Sequence, residues 1–427
     1  MLRALVPVAA LLSSVALLLV GNGLQTTLLP LRGQAAGFDS LALGILGSSY
    51  FLGFLAGCLF GPRVVARAGH IRTFAAMVSI ASCIALAHAL LVLPLTWWLL
   101  RAGTGMCFAV LYMVIESWLN DKASNETRGV VFSVYVVINL TMITAGQLLL
   151  LLDRGGTIAL YLIASILVSL AAVPVALTRS DAPAPMPAAR LDLGRLLRTS
   201  PVGVVGCFAV GLTNGAFWAY GPVFAEALAP VAADTADAGK AAADYAALFM
   251  SASVLGGAIG QFPLGWLSDR VDRRLVIIGG AVCGALAGVG VATTAIALPD
   301  LMLPAGFALG LFAFSLYAIA VAHVNDVVPR EEFVQVAGGL LLIWSIGAVT
   351  GPLAASAAIA AFGPPALFAY TAAVYVGLAG FALYRLPRRA APSPEEKTEF
   401  REAAIVGQTV AAIDVLPPAE EGAKADA

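Results

Sequence analysis

Long apolar runs dominate this chain and constrain its fold more than any other feature. A helix needs about 20 mostly apolar residues to cross the hydrocarbon core of a bilayer. Hydrophobic residues make up 60% of the chain and charged residues 11%, too few charges for a water-exposed surface, since globular domains carry about 25%. The runs predict twelve membrane-spanning helices, near residues 5–30, 41–62, 72–93, 96–119, 129–152, 156–178, 201–227, 244–267, 274–297, 301–324, 333–358 and 364–386.

The spacing of these runs predicts an all-α integral membrane protein built from two six-helix bundles. The first bundle covers residues 1–178, the second covers 201–386, and a polar, proline-bearing linker at 179–200 joins them. Residues 387–427 are charged and alanine-rich. Such a composition buries too little apolar surface to fold, so we expect a disordered, cytoplasmic tail.

Lysine and arginine are distributed unequally between the two sides of the membrane. Cytoplasmic loops carry an excess of these residues. With both termini in the cytoplasm, the inner loops receive most of the cations and the outer loops receive only Arg32, Arg154 and Lys240. The bias therefore predicts a multi-pass protein of the cytoplasmic (inner) membrane with both termini inside, and it favours an even number of helices.

The two halves of the chain carry matching landmarks at nearly constant separations. The pairs are Asn22 with Asn214 (192 residues apart), Gly53 with Gly256 (203), Asp121 with Asp326 (205) and Gly146 with Gly351 (205). An insertion within 229–243 accounts for the change from 192 to 203. Parallel repeats of this kind are a known transporter design, with the substrate site at the repeat interface.

The most specific motif lies between the eighth and ninth runs. Residues 265–274 spell G-W-L-S-D-R-V-D-R-R. This segment resembles the G-x-x-x-D-R-x-G-R-R loop of the major facilitator superfamily, with Asp272 in place of the second glycine. The equivalent loop of the first half has Ala66 where the acidic residue is usual.

Further segments share this resemblance. Arg101 with Gly105 is similar to the R-x-x-x-G pattern of the family, and segment 347–352 is similar to its glycine–proline gating motif, displaced from the fifth run to the eleventh. The Glu-Ser pair at 116–117, together with segment 22–32, resembles the YcaD-type branch, which brings no established substrate. Over about residues 5–386 the resemblance implies the twelve-helix fold of the family and a central cavity lined by helices 1, 4, 7 and 10.

A charge cluster at the ends of helices can hold one rigid-body arrangement and release it in another. Asp269 lies among cations at such a helix end, beside Arg270 and Arg273, and Arg67 is the counterpart of Arg270 in the first half. We predict that these four residues form a conformational latch. For the arginines, the alternative is that they only follow the positive-inside bias.

Ionisable residues inside membrane spans are costly and indicate function. Arg101 is predicted to hold an anionic substrate or a coupling carboxylate; alternatively it extends to the surface or bonds to backbone carbonyls. Glu116 is predicted to carry a coupling proton, because burial favours the protonated carboxyl, or to pair with arginines at the inner end. Glu226 is a second candidate proton carrier near the outer end of its helix.

Polar and aromatic side chains on the spans are candidates for the wall of a substrate cavity, because an amide in lipid needs a partner. Hydrogen bonding between packed helices is the alternative role. The predicted cavity residues are Asn22, Gln25, Arg101, Tyr112, Asn139, Asn214, Trp218, Tyr220, Tyr317 and Trp344. Apolar walls with a few amides and aromatics suit an amphiphilic or weakly charged substrate.

The predicted function is secondary active transport by alternating access: proton-coupled export of a small organic or amphiphilic compound. Import of a nutrient such as a sugar or organic acid is the first alternative, and a membrane sensor or scaffold that does not transport is the second. We find no nucleophile–base pair, P-loop or metal-ligand spacing and expect no enzyme activity, cofactor or metal. The net charge of −1 suggests no nucleic-acid partner, and we expect a monomer in the lipid bilayer.

Overall fold

The computed structural model describes residues 5, 8–124, 127–153, 158–177, 189–190, 192–231, 237–329, 332–388, 400 and 413–414. Half of the predicted linker and nearly all of the predicted disordered tail lie outside these ranges. Within them, twelve helices are long and apolar enough to cross a membrane. The predicted all-α fold with twelve spans is confirmed.

Helices α1 to α6 form the first half. They are α1 (Ala9–Ala35), α2 (Ser40–Ala68), α3 (His70–Leu90), α4 (Pro94–Lys122), α5 (Arg128–Leu148, extended by a 3₁₀ turn at Leu149–Leu152) and α6 (Ala159–Leu170, continued by Ala172–Ala176).

Helices α7 to α12 form the second half. They are α7 (Pro201–Ala227), α8 (Ala238–Arg270), α9 (Arg273–Ala297), α10 (Met302–Ala313 and Leu316–Asn325, after a 3₁₀ turn at Pro299–Leu301), α11 (Phe333–Phe362) and α12 (Ala366–Arg385, followed by a 3₁₀ turn at Leu386–Arg388). A short helix, Leu193–Thr199, precedes α7, and the two-residue strands Ala189–Arg190 and Ile413–Asp414 pair in parallel.

Several helices depart from the predicted boundaries, among them α2, which ends at Ala68 rather than near residue 62, α8 and α10. Helix α8 begins at Ala238 and so takes up part of the polar insertion, because residues 238–243 are mostly alanine, the best helix former. Helix α10 is interrupted between its two segments, where the Ser315 hydroxyl donates to the carbonyl oxygen of Leu311 at 2.8 Å. A serine that bonds back to the preceding turn bends a helix.

Consecutive helices run antiparallel, so the bundle has two ends. We call the end where α1 begins and α12 ends the linker end, and the opposite one the far end. Turns at both ends follow local chemistry: the Asp39 side chain caps α2 by accepting from the Ala42 backbone N–H at 2.7 Å. At the linker end, Gly69 separates α2 from α3 with φ of 80°, a conformation that favours glycine.

The packing of the first half is repeated in the second. Helix α2 packs on α4 and α1 on α5, as α8 packs on α10 and α7 on α11. A Cβ atom added to Gly105 would lie 1.9 Å from the Tyr50 carbonyl oxygen, and at the equivalent place a Cβ on Gly310 would lie 1.8 Å from the Ser253 carbonyl oxygen. Tyr50 and Ser253 are 203 residues apart, and Gly105 and Gly310 are 205 residues apart, the same separations as in the sequence landmarks. The duplication inferred from the sequence is therefore present in the packing.

The halves meet chiefly through α2 against α11 and α5 against α8, two pairs that the duplication relates to each other. Described hydrogen bonds between the halves lie toward the far end. The Ser48 hydroxyl donates to the Val349 carbonyl oxygen at 2.6 Å, the Tyr220 hydroxyl donates to the Ser40 carbonyl oxygen, and Lys240 Nζ lies 3.4 Å from the Leu151 carbonyl oxygen.

Candidate functional site

A buried polar group, which we call the Arg101 cluster, lies in the first half and consists of Asn22, Tyr50 and Arg101, with the buried Gln25 about one turn further along α1 from Asn22. Arg101 is 7% exposed, and its guanidinium carbon lies 4.4 Å from the centre of the Tyr50 ring. The side chain of Asn22, the middle residue of α1, lies beside Tyr50. The close approach of α2 and α4 at Gly105 places Tyr50 against Arg101.

Several polar atoms of this cluster have no hydrogen-bond partner among the described residues. They are Asn22 Oδ1, Gln25 Oε1 and Arg101 Nη1. Buried polar groups are nearly always bonded, so unpaired atoms on neighbouring side chains mark a place where a ligand or water belongs. Arg101 lies inside the bundle, which disfavours the alternative that it extends to the surface.

Aromatic side chains connect the halves next to this cluster. The rings of Phe51 and Trp344 are 5.6 Å apart, and those of Tyr317 and Trp344 are 6.1 Å apart. Tyr112 contacts Phe54 with ring centres 6.4 Å apart. The predicted cavity residues Tyr112, Tyr317 and Trp344 therefore share one aromatic surface between α2, α4, α10 and α11.

The remaining predicted cavity residues are distributed over the bundle. Asn214 lines a small void of about 10 Å³ within the second half, and Trp218 packs against the Phe314 ring with centres 5.8 Å apart. Tyr220 lies toward the far end, where it bonds across the halves to Ser40. Asn139 belongs to the Glu116 network below.

Glu116 is 2% exposed in α4. The Tyr135 hydroxyl of α5 donates a hydrogen bond to its Oε1 at 3.0 Å, and the side chain of Asn139, about one turn further along α5, lies beside Tyr135. Arg67, one of its predicted ion-pair partners, is exposed. The carboxyl is thus linked to a tyrosine and an amide deep in the first half, an arrangement that can hold a proton-binding group in place.

Glu226 lines a cavity of about 210 Å³ at the far end between the halves. Arg32 pairs with Asp153 at 2.5 Å on one wall, and Lys240 pairs with Asp244 at 2.7 Å on another. Glu226 adds a carboxylate beyond these two pairs. This far-end cavity is separate from the Arg101 cluster.

A second charged group at the linker end, the Arg273 cluster, consists of Asp269, Arg273 and Asp326. The Arg273 side chain is completely buried; its Nε donates to Asp326 at 2.8 Å and its Nη2 donates to Asp269 at 3.1 Å. Asp326, which was predicted only as a repeat landmark, is itself 1% exposed. The cluster joins the α8–α9 turn to the end of α10.

The other two residues of the predicted latch lie outside this cluster. Arg270 is exposed and its guanidinium stacks over the Trp266 ring at 3.8 Å. Arg67 is exposed at the equivalent position of the first half. Their part in a latch stays a prediction.

Asp272, which departs from the family motif, stabilises the start of α9. Its carboxylate accepts from the Arg274 backbone N–H at 2.9 Å and pairs with the Arg274 guanidinium at 2.6 Å. Burial alone would raise the pKa of the Asp272 carboxyl, but hydrogen bonds and charge from Arg274 outweigh burial, so its pKa lies below the usual value.

Phe400 of the C-terminal segment also reaches the α8–α9 turn. Its backbone N–H donates to Asp269 Oδ1 at 2.9 Å, and its ring occupies the space where a Cβ on Gly265 would be. Sequence reasoning missed this contact because nothing in the composition of the tail indicates it. It missed Tyr50 as well, although Tyr50 is the counterpart of Ser253, which lies 203 residues later in the second half.

Twelve spanning helices in two repeated halves, with buried polar groups at their centre, define a polytopic membrane protein with the architecture of a transporter. The model of the Major Facilitator Superfamily matches residues 11–233 and 227–417. The chain belongs to this superfamily and is a transporter of its general class.

Relatives support the same assignment. The chain is 27% identical over 372 residues to the uncharacterised MFS-type transporter YcaD of Salmonella newport (strain SL254), covering 86% of this chain and 93% of the relative. It is therefore YcaD-like. Among solved structures, the nucleoside transporter NupG matches 88% of this chain and 98% of its own with a TM-score of 0.70 at 14% identity. A D-xylose-proton symporter matches 91% and 99% with a TM-score of 0.68 at 15% identity, and these likenesses show the fold.

Proposed function

We propose that this protein is a secondary active transporter that works by alternating access and exports a small organic or amphiphilic compound in exchange for protons. The observation that carries the proposal is the interface between the halves. Its two main helix pairs, α2–α11 and α5–α8, are related by the duplication, and described cross-half hydrogen bonds lie toward the far end. Two similar rigid bodies joined in this way can rock about a central site.

Membrane orientation follows from the sequence. The excess of lysine and arginine at the linker end favours a cytoplasmic position for that end and for both termini. The described cross-half hydrogen bonds then lie toward the outer surface of the inner membrane. We propose that the protein acts as a monomer.

Proton coupling is assigned to Glu116 and Glu226. Glu116 is buried and tethered by Tyr135, and Glu226 is a third carboxylate beside two cations among the described residues that line the far-end cavity. A carboxyl in a low-dielectric site binds a proton more tightly than in water. A change in exposure between two conformations would therefore couple proton uptake to rocking.

The proposal is tested in two steps on purified protein. A thermal-shift screen against metabolites and drugs at pH 6 and pH 8 identifies a ligand whose stabilisation depends on pH. Transport of that ligand is then measured in right-side-out and inverted vesicles under an imposed proton gradient. Export predicts accumulation in inverted vesicles that stops when the gradient is collapsed.

Import is the alternative with support from comparison, because a fucose:proton symporter and a D-xylose-proton symporter are among the solved structures that share this fold. Accumulation of the screened ligand in right-side-out vesicles would show that the protein imports the ligand rather than exports it. A sensor or scaffold that does not transport predicts movement in neither orientation, and it predicts that Asp269→Asn has no effect on function.

A further inference from the structure

The guanidinium of Arg101 is a buried positive charge without a matching negative one. Arg101 is 7% exposed, its Nη1 has no hydrogen-bond partner, and its described contact is the face of the Tyr50 ring. No carboxylate among the described residues lies within ion-pair distance of it. By contrast, the other buried arginines, Arg273 and Arg274, are each paired with aspartate.

An unpaired charge in this place is unfavourable. Removing an ion from water costs several kcal/mol even after the protein relaxes, and a cation–π contact returns only about 2 kcal/mol when desolvated. Arg101 lies seven residues from the start of α4, about 10 Å along a helix axis, within a span apolar and long enough to cross a membrane. The balance favours a negatively charged ligand beside Arg101.

The duplication shows that the scaffold does not require this charge. The position equivalent to Arg101 in the second half is Gly306, and the position equivalent to Tyr50 is Ser253. The helices of the second half nevertheless approach as closely as those of the first, at Gly310. Arg101 and Tyr50 are therefore additions to one half, as expected for a binding function rather than for packing.

The atoms around Arg101 indicate which chemical groups the ligand carries. Arg101 Nη1 needs an acceptor, and a guanidinium binds carboxylates with particular geometric fit. The Asn22 and Gln25 side-chain oxygens accept hydrogen bonds and have no described partner. They suit a hydroxyl or amino group on the same molecule, and the aromatic surface of Tyr112 and Trp344 suits an apolar body.

We infer that the Arg101 cluster is a site for a small monovalent anion. Its negative group is either the carboxylate of the transported compound or a free halide that moves with it. The carboxylate form deepens the proposed function, because it makes the exported compound an organic acid. The halide form stands without any transport direction.

The test measures anion binding by purified protein and does not depend on transport. Thermal stability and intrinsic tryptophan fluorescence are titrated with sodium chloride and with sodium benzoate, at ionic strength held constant by sodium isethionate. The wild-type protein should respond saturably. A response to chloride alone assigns a halide site, whereas a response to benzoate that chloride does not reproduce assigns a carboxylate site.

Two variants locate the binding. Arg101→Gln should weaken it by at least about tenfold, since hydrogen bonds to charged groups are worth about 1.5–3 kcal/mol. Because that variant removes a buried group, Asn22→Asp provides a second measure: it places a carboxylate in the cluster, should raise stability without added salt, and should abolish the anion response. Arg195→Gln, at a linker-end position with 59% of the side chain exposed, is the matched control and should bind as the wild type.

Absence of a saturable response to both anions in the wild-type protein overturns the inference. An unchanged response in Arg101→Gln and Asn22→Asp overturns it too. Failure of vesicle transport alone, with anion binding intact, would count against the proposed function and leave the site in place.

Discussion

Arg273 shows how a single charge is accommodated at the linker end. Its side chain is fully buried, and Asp326 and Asp269 neutralise it from two sides. Removing one partner of a buried ion pair costs more than the pair itself contributes, because the remaining charge stays buried. The Asp326 side chain is 1% exposed and the Asp269 side chain is 38% exposed. The Asp326 carboxylate is therefore expected to contribute more to stability.

Asp326→Ala is predicted to destabilise the protein by about 3 kcal/mol, whereas Asp269→Ala should have a clearly smaller effect because water screens that carboxylate. Thermal unfolding of the detergent-solubilised variants measures the difference. Asp300→Ala, at an exposed position of the far end, is the control. Equal losses for Asp269→Ala and Asp326→Ala would contradict the assigned geometry.

Asp272 makes a separate contribution to the stability of the folded protein, and this contribution depends on pH. Its pKa is lowered in the folded protein, so the stability it adds is fully present above the usual carboxyl pKa of about 3.9 and is lost as pH falls below that value. We expect Asp272→Asn to lower the melting temperature at pH 7. The gap from the wild type should shrink between pH 4 and pH 3, and a gap that is constant with pH would refute this account.

At the scale of helices, close contact at glycine sets the spacing of α2 on α4 and of α8 on α10. Gly105 and Gly310 each face a backbone carbonyl of the neighbouring helix at a distance that no Cβ atom tolerates. Small residues at such interfaces let helices approach closely in membranes. The backbone cannot move aside as a flexible side chain can.

Gly105→Ala and Gly310→Ala are predicted to destabilise the protein by about 1–3 kcal/mol each, the usual cost of overpacking, and by similar amounts because they occupy equivalent positions. Gly290→Ala is the matched control, since a Cβ there meets open space. Alanine favours helix by up to about 1 kcal/mol over glycine, so this control should be neutral or slightly stabilised. Thermal-shift curves of the three variants provide the measurement.

Sequence reasoning succeeded for features that depend only on the order of residues along the chain. Apolar runs predict the number of helices, and constant separations, such as that between Gly146 and Gly351, indicate the duplication. It was less informative where rotation about a helix axis decides the contact. The ring of Tyr50 lies against Arg101, and Asp326 rather than Arg270 completes the Arg273 cluster; both depend on how helices face each other. The interruption of α10 at residues 314–315 was also not predicted.

At the scale of the whole molecule, the proposed alternating access requires the far-end contact between the halves to break during transport. The Ser48 hydroxyl and the Val349 carbonyl meet across this contact at 2.6 Å. A Ser48→Cys, Val349→Cys pair in a background without the five native cysteines is predicted to react with a short bifunctional thiol reagent. Cross-linking should abolish transport of the screened ligand, and a reducible reagent should allow recovery; each single-cysteine protein is the control.

Alternating access itself is tested most directly by distance measurements at both ends of the bundle. Spin labels at Ala36 and Phe362 report on the far end, and labels at Ala66 and Leu267 report on the linker end; all four positions are exposed. Double electron–electron resonance in nanodiscs should give two distance populations for each pair. A change of pH or added ligand should shift the two pairs in opposite directions. A single unchanging distance at both ends under every condition would contradict the account.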